Sequence, residues 1–371
     1  MPQILIPNSI RPRDGRFGCG PSKMRPEQLE NFQVFAQKFM GTSHRQPPIR
    51  ALVGEIKAGL TELFRAPAGY EVILGNGGAS AFWDAATFSL AERKAQALVH
   101  GEFGNKFAKI LGAPWLEKPT VIEAEPGTRL DLVAEAGVDI YAYPHNETSA
   151  GVVADVVRVV GADADALMLT DATSAAGGID FDITQTDVYY FAPQKNFASD
   201  GGLWLALVSP KALERIERVA ASGRYIPNIL SLKLALDNSR ENYTLNTPAL
   251  ATLFFLNDQI KWLLQNGGLS WADRKTKENS KVLFDWAEQN PLTEAFVKNP
   301  LHRSQLVATI NFADHIDALG IAQILRENDI VDTDPYRKLG KNQLRIATFV
   351  SIEKSDLQAL TECIDYVLER L

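Results

Sequence analysis

Between Tyr70 and Val208 short apolar runs alternate with longer mixed segments, and this alternation restricts the fold more than any other feature of the sequence. Tyr70–Leu74, Ala97–His100, Asp139–Tyr143, Ala166–Thr170, Asp187–Ala192 and Leu203–Val208 read as strands. Ala79–Arg93 reads as the helix behind the first of them. Strands interleaved with helical segments predict an α/β layered domain with a largely parallel sheet. From about Thr247 the pattern changes. Thr247-Pro248 has the form of a helix start, with Thr as N-cap and Pro at the first helical position. Leu250, Leu253, Phe254, Ile260, Leu263 and Leu264 follow at helical spacing, and Gly267-Gly268 closes the element. A second long helix, Ser270–Gln289, comes next. Leu306–Phe312 and Gln343–Phe349 then read as strands framing a helix over Ile316–Glu327, a compact α/β subdomain.

Composition narrows the function class. Of 371 residues, 46% are hydrophobic and 22% charged, which fits a globular chain with a sizeable core. Thirty-eight basic against 45 acidic residues leave a net charge of −7. A general nucleic-acid or anionic-membrane binder is therefore not expected, and any anion must be caught by locally placed cations. No run approaches the roughly 18 apolar residues of a membrane span, and Met1 to Ile10 lack a basic-then-apolar leader pattern. A soluble, cytoplasmic protein is the expectation. The two sequons at Asn146 and Asn242 are then coincidental. Two cysteines, Cys19 and Cys363, form neither a disulfide framework nor a metal motif, and no metal is expected.

Three segments carry chemistry. Gly75-Asn76-Gly77-Gly78-Ala79-Ser80 lies between a strand and a helix, so its backbone N–H groups make an anion site at the helix start. It is not a P-loop, since no Lys-Ser/Thr pair closes it, and a turn that only packs has the same form. Asp171 ends the apolar strand 166–170, at the edge where open α/β sheets bind ligands, although an N-cap or a solvated loop acid reads alike. Lys195 emerges from a strand end amid Tyr189-Tyr190-Phe191-Ala192-Pro193 and Phe197, surroundings that favour the neutral amine of Schiff-base chemistry. Taken together, an Asp at one strand end, a Lys past the next and a glycine-rich helix start suggest pyridoxal phosphate.

With these residues in place the chain resembles the phosphoserine aminotransferases, fold-type I pyridoxal-phosphate enzymes of class V, and most of all their actinobacterial branch. The resemblance runs nearly end to end, through Phe17-Gly18-Cys19-Gly20-Pro21, Gly41-Thr42-Ser43-His44-Arg45, Gly75–Trp83, Asn146-Glu147-Thr148, Thr170–Gly178, Gln194-Lys195-Asn196 and Asn246-Thr247-Pro248. It implies a large domain over residues 17–266 built on a mainly parallel seven-stranded sheet. It further implies a small α/β domain formed by residues 1–16 and 267–371. It also implies a homodimer acting on glutamate, phosphoserine, 3-phosphohydroxypyruvate and 2-oxoglutarate in serine biosynthesis. A phosphorylated hydroxythreonine, an intermediate of pyridoxine biosynthesis, would fit the same arginines.

Carried over by position, the resemblance implies that Lys195 bears the cofactor and Asp171 pairs with its ring nitrogen. Ala79, Ser80 and Gln194 then surround its phosphate, Phe103 stacks on its ring, and Thr148 meets its phenolic oxygen. Asn246 and Thr247 would reach the phosphate from the partner subunit. His44, Arg45, Arg345 and Arg337 are the implied substrate ligands; two guanidinium forks suit a substrate with a carboxylate and a second anion. Three positions depart from the better-known branch. Tyr336-Arg337 replaces a His-Arg pair, Cys19 stands for a Ser, and Ser80 stands for an Arg. The alternatives are another class V enzyme acting on a small anionic amino acid, such as a desulfurase, or a non-catalytic anion binder. A desulfurase would need a mobile loop cysteine, for which neither Cys19 nor Cys363 is placed, and an anion binder would not need both Lys195 and Asp171.

Overall fold

The structure, a computed structural model, describes residues 4–371. Strands β1 (Glu71–Asn76), β2 (Ala95–Val99), β3 (Thr120–Glu123) and β4 (Ile140–Pro144) are followed by a short hairpin, β5 (Asn146–Glu147) and β6 (Val152–Val153). Strands β7 (Leu167–Asp171), β8 (Val188–Phe191) and β9 (Leu203–Val208) complete the main sheet, in the order β1-β9-β8-β7-β4-β2-β3. Only β9 runs against the rest, so the expected mainly parallel, seven-stranded sheet is found. Its central strands are buried on both faces, which is why they read as continuous apolar runs rather than alternating ones.

Side chains alternate across the sheet. Val72, Leu74, Tyr189, Phe191 and Leu205 pack against α2 (Pro47–Leu63) and α7 (Leu250–Gln265), with α1 (Pro26–Phe39) lying on α7. Ile73, Ala142, Leu169, Tyr190 and Trp204 face α3 (Ala79–Ser89), α4 (Glu102–Ile110), α5 (Pro210–Ala221) and α6 (Leu232–Arg240). A second, antiparallel sheet of β10 (Thr293–Ala295), β11 (Val307–Phe312) and β12 (Gln343–Ala347) packs with α8 (Gly268–Gln289), α9 (Ala318–Glu327) and α10 (Lys354–Leu368). Ile4 and Ile6 join this second core. α8 links the two cores, with Leu269 and Ala272 packed beneath the main sheet and Leu283 and Ala287 against the second.

Most boundaries shift by one or two residues from the sequence reading, and two shift for a visible reason. α3 ends at Ser89 rather than Arg93, because the Asp139 carboxylate accepts the N–H groups of Glu92, Arg93 and Lys94 and draws them into a turn. α7 begins at Leu250 with Ala249 as its N-cap, so Thr247 is not a helix cap. The side chain of Asn76 accounts for this. Its Nδ2 donates to the carbonyls of Asn246 (3.3 Å) and Thr247 (3.2 Å), and its Oδ1 accepts the Asn246 N–H. The loop is thereby held before helical geometry begins. The glycine pair serves two elements: Gly267, at φ 108°, follows the last turn of α7 and is the N-cap of α8. Among the described residues no helix is long and apolar enough to cross a membrane.

Candidate active site

The carboxyl ends of β4, β7 and β8 meet at one edge, where Pro144 pairs with Asp171 and Asp171 with Tyr190. The chain leaves β8 through Ala192-Pro193-Gln194 and turns Lys195 back over that edge. Lys195 is 7% exposed, and its Nζ donates to Thr148 Oγ1 at 2.7 Å. Burial lowers its pKa to about 8 against the opposing pull of Asp171. The amine also stands 5.4 Å from the centre of the Phe103 ring. Behind it, Gly20 has φ 140°, and a Cβ there would approach Lys195 Cε to 3.0 Å. Asp171 is held at both oxygens. Oδ2 accepts the indole N–H of Trp83 at 3.1 Å, and Oδ1 accepts the Thr173 N–H at 2.9 Å.

These groups line a cavity of about 540 Å³ together with Gly78, Ala79, Ser80, Phe103, Gln194 and Arg345. α3 starts on its rim with Gly78 as N-cap and no side-chain cap, so its first N–H groups are open to an anion. Gln194 Oε1, Asn146 Oδ1 and Thr173 Oγ1 line the same wall and are buried without a protein partner. Buried polar atoms are rarely left so, and here they mark a polar ligand. An aromatic face, an amine, a carboxylate and an anion-binding helix start within one cavity fit pyridoxal phosphate.

Arg345, on β12, closes the other side. Its Nη1 donates to the Thr148 carbonyl at 3.3 Å, while its Nε is buried without a partner. The Tyr336 ring lies 5.2 Å from its guanidinium carbon and 6.1 Å from the Phe103 ring. Cys19 Sγ lies 3.8 Å from the Arg345 carbonyl, and burial pushes its thiol pKa up.

Of the residues singled out from the sequence, Lys195, Asp171, Ala79, Ser80, Phe103, Thr148, Gln194 and Arg345 come together in this cavity. Arg337 does not; it is exposed in an adjoining cleft that shares Tyr336 and Arg345 with the cavity. His44 and Arg45 lie in the turn between α1 and α2, and Asn246 and Thr247 on the exposed loop before α7, all outside the cavity of their own chain. Arg50, in the first turn of α2, donates to the Glu241 carbonyl at 2.9 Å and stacks on Tyr243 at 4.5 Å, so the start of α2 packs beside the chain that leads to Asn246. Sequence reasoning gave no role to Trp83, Asn146, Thr173 or Tyr336. Trp83 alone carried a signal, since it follows Ala79 by one helical turn and shares its face.

Comparison with known proteins identifies the family and the fold. The family "Aminotransferase class-V" matches residues 123–332. A phosphoserine aminotransferase of Nocardioides sp. is 54% identical over 370 residues, covering 99% of each chain. A relative from Mycobacterium leprae is also 54% identical, over 371 residues, covering 100% of this chain and 98% of its own. Among solved structures, a phosphoserine aminotransferase from Cytophaga hutchinsonii superposes with a TM-score of 0.88 at 23% identity, over 95% of this chain and 99% of that one. The pyridoxal-phosphate-bound phosphoserine aminotransferase of Trichomonas vaginalis gives a TM-score of 0.80 at 19% identity, over 95% and 100%.

Proposed function

The chain belongs to the phosphoserine aminotransferases of aminotransferase class V, and from that premise we propose that Lys195 and Asp171 carry its reaction. That reaction is the pyridoxal-phosphate-dependent exchange of an amino group between glutamate and 3-phosphohydroxypyruvate, which yields O-phosphoserine and 2-oxoglutarate in serine biosynthesis. Bound pyridoxal phosphate supplies an electrophilic carbonyl and a ring that accepts electrons.

The observation that carries the assignment is the placement of Lys195 Nζ and Asp171 in one buried cavity at adjacent strand ends. An amine with a pKa near 8 is partly neutral at physiological pH, so it can take and return a proton at Nζ. Thr148 Oγ1 holds that nitrogen toward the cavity. Asp171, fixed by Trp83 and Thr173, presents a carboxylate that keeps a ring nitrogen protonated. Arg345, with its unpartnered Nε, binds the carboxylate common to all four substrates. His44 and Arg45 bind the distal anion of a substrate held by the other subunit of a homodimer, and Asn246 and Thr247 complete the other subunit's phosphate site. All four lie outside the cavity of their own chain, with Arg45, Asn246 and Thr247 exposed, and this supports the reading. We assign the large domain to residues 17–266 and the small one to residues 1–16 and 267–371, of which 1–3 lie outside the described residues; the packing of Ile4 and Ile6 with Ile310, Ile346 and Leu360 supports the division.

The test is spectroscopic and kinetic. Purified protein should carry a visible absorption band that borohydride removes, and Lys195→Ala should lack both the borohydride-sensitive band and multiple turnover. A Lys195→Ala enzyme with near-wild-type steady-state activity would overturn the assignment.

A further inference from the structure

The turn Asn146-Glu147-Thr148-Ser149 joins three parts of the site: Lys195, Arg345 and the helix that carries Phe103. Thr148 receives Lys195 through its hydroxyl and Arg345 through its carbonyl. Glu147, between Asn146 and Thr148, is fully buried and points the other way, into the start of α4. Its Oε2 accepts the N–H groups of Phe103 (3.2 Å) and Gly104 (3.0 Å). Its Oε1 accepts the N–H (3.1 Å) and the hydroxyl (2.6 Å) of Ser149. Ser149 Oγ in turn accepts the Glu102 N–H at 3.0 Å. The first three N–H groups of α4 are thus all satisfied from a distant turn.

Sequence explains why this help is needed. The N-cap of α4 is Gly101, which has no side chain to cap its own helix. Gly101 is also what lets the turn approach. A Cβ there would lie 2.4 Å from Ser149 Oγ and 2.8 Å from Glu147 Cγ. A buried carboxyl with four donated hydrogen bonds also fits the dipole at a helix start.

We propose that Glu147 is a positioning residue, locking the α4 helix that carries Phe103 to the turn that carries Thr148. The aromatic wall of the cavity and the hydroxyl that holds Lys195 Nζ then move as one body. Burial pushes the Glu147 carboxyl pKa up while its Ser149, Gly104 and Phe103 donors pull it down, as expected of a group kept for its hydrogen bonds. The inference rests on the reading of Phe103, Thr148 and Lys195 as cofactor residues. A displacement on the order of 1 Å in such a wall is enough to cost about 10²-fold in rate.

The experiment uses full-length Glu147→Gln and Ser149→Ala proteins, with and without pyridoxal phosphate. In Glu147→Gln one acceptor oxygen becomes a donor, so bonds to α4 or to Ser149 must be lost. Expected results are faster hydrogen exchange at Glu102–Gly104 in the cofactor-free protein and weaker pyridoxal-phosphate binding, by about tenfold, the scale of one lost hydrogen bond to a charged group. kcat should fall with KM for glutamate nearly unchanged, and Ser149→Ala should show a smaller effect of the same kind. Faster exchange at α4 with wild-type cofactor affinity and kcat would make the cap merely structural and overturn the proposal. Unchanged exchange in both variants would overturn it too. Should Glu147→Gln fail to fold, Ser149→Ala is read by the same criteria. Wild-type protein that took up no cofactor would instead strike the functional assignment itself.

Discussion

The indole N–H of Trp83 donates to Asp171 Oδ2 at 3.1 Å, joining the first turns of α3 to the end of β7. Trp83 follows Ala79 by four residues, so the helix start that offers its N–H groups to an anion and the indole that holds the carboxylate lie on one helix face. A single helix therefore sets the distance between the two ends of the site.

Replacing Trp83 by Phe keeps the ring and removes that bond. A hydrogen bond to a charged group contributes about 1.5–3 kcal/mol, so kcat/KM should fall on the order of 10- to 10²-fold. Asp171→Asn, which removes the charge itself, should lose about 10²–10³. Steady-state assays with glutamate and 3-phosphohydroxypyruvate rank the two; equal losses would show that Trp83 does more than orient Asp171.

Lys195 makes two predictions. Turnover in Lys195→Ala should drop by at least about 10²–10⁴, the scale of general acid–base help. Its lowered pKa also gives stability a pH dependence. Between pH 8 and the unperturbed value of 10.5 the unfolded chain holds the proton that the folded one has released, so stability attributable to this residue rises with pH through that window. Urea unfolding of cofactor-free wild type and Lys195→Met should diverge in the wild type's favour by on the order of 3 kcal/mol from pH 8 to 10.5. A constant difference would mean that the amine titrates normally.

The two arginines should separate. Arg345 lines the cavity, so Arg345→Ala should weaken glutamate and phosphoserine alike, by about 2–5 kcal/mol for a desolvated pair. Arg45→Ala should spare alanine-like substrates that lack a distal anion. Specificity constants over a set of such substrates check this, and proportional losses in both variants would contradict the division of labour.

Subunit mixing tests the shared site. A Lys195→Ala chain and a chain carrying Asn246→Ala with Thr247→Ala should each be nearly inactive. A two-fold heterodimer has one site with both sets intact, so mixing should restore part of the activity. Heterodimers without recovered activity would place Asn246 and Thr247 in cis or outside the mechanism. Thr247 lies three residues before α7, so recovered activity would trace to its hydroxyl and backbone rather than to a helix dipole.

Two things were legible along the chain: the parallel α/β layering, and the places of Asp171 and Lys195 just past strand ends. Both follow from local pattern: apolar runs long enough to be strands, and polar residues just past their ends, where such sheets bind ligands. Local pattern also located the helix start at Ala79. The partners of these groups came from packing. That Trp83 reaches Asp171, that Thr148 receives Lys195, and that Glu147 caps a helix 43 residues earlier in the chain depends on how strands and helices pack. The misread boundary at Thr247 has the same origin. A Thr-Pro pair is a sound local signal, yet the side chain of Asn76, 170 residues away in sequence, holds that loop and delays the helix to Leu250. Propensity is set by neighbours along the chain, whereas hydrogen bonds between distant segments exist only once the two cores have packed.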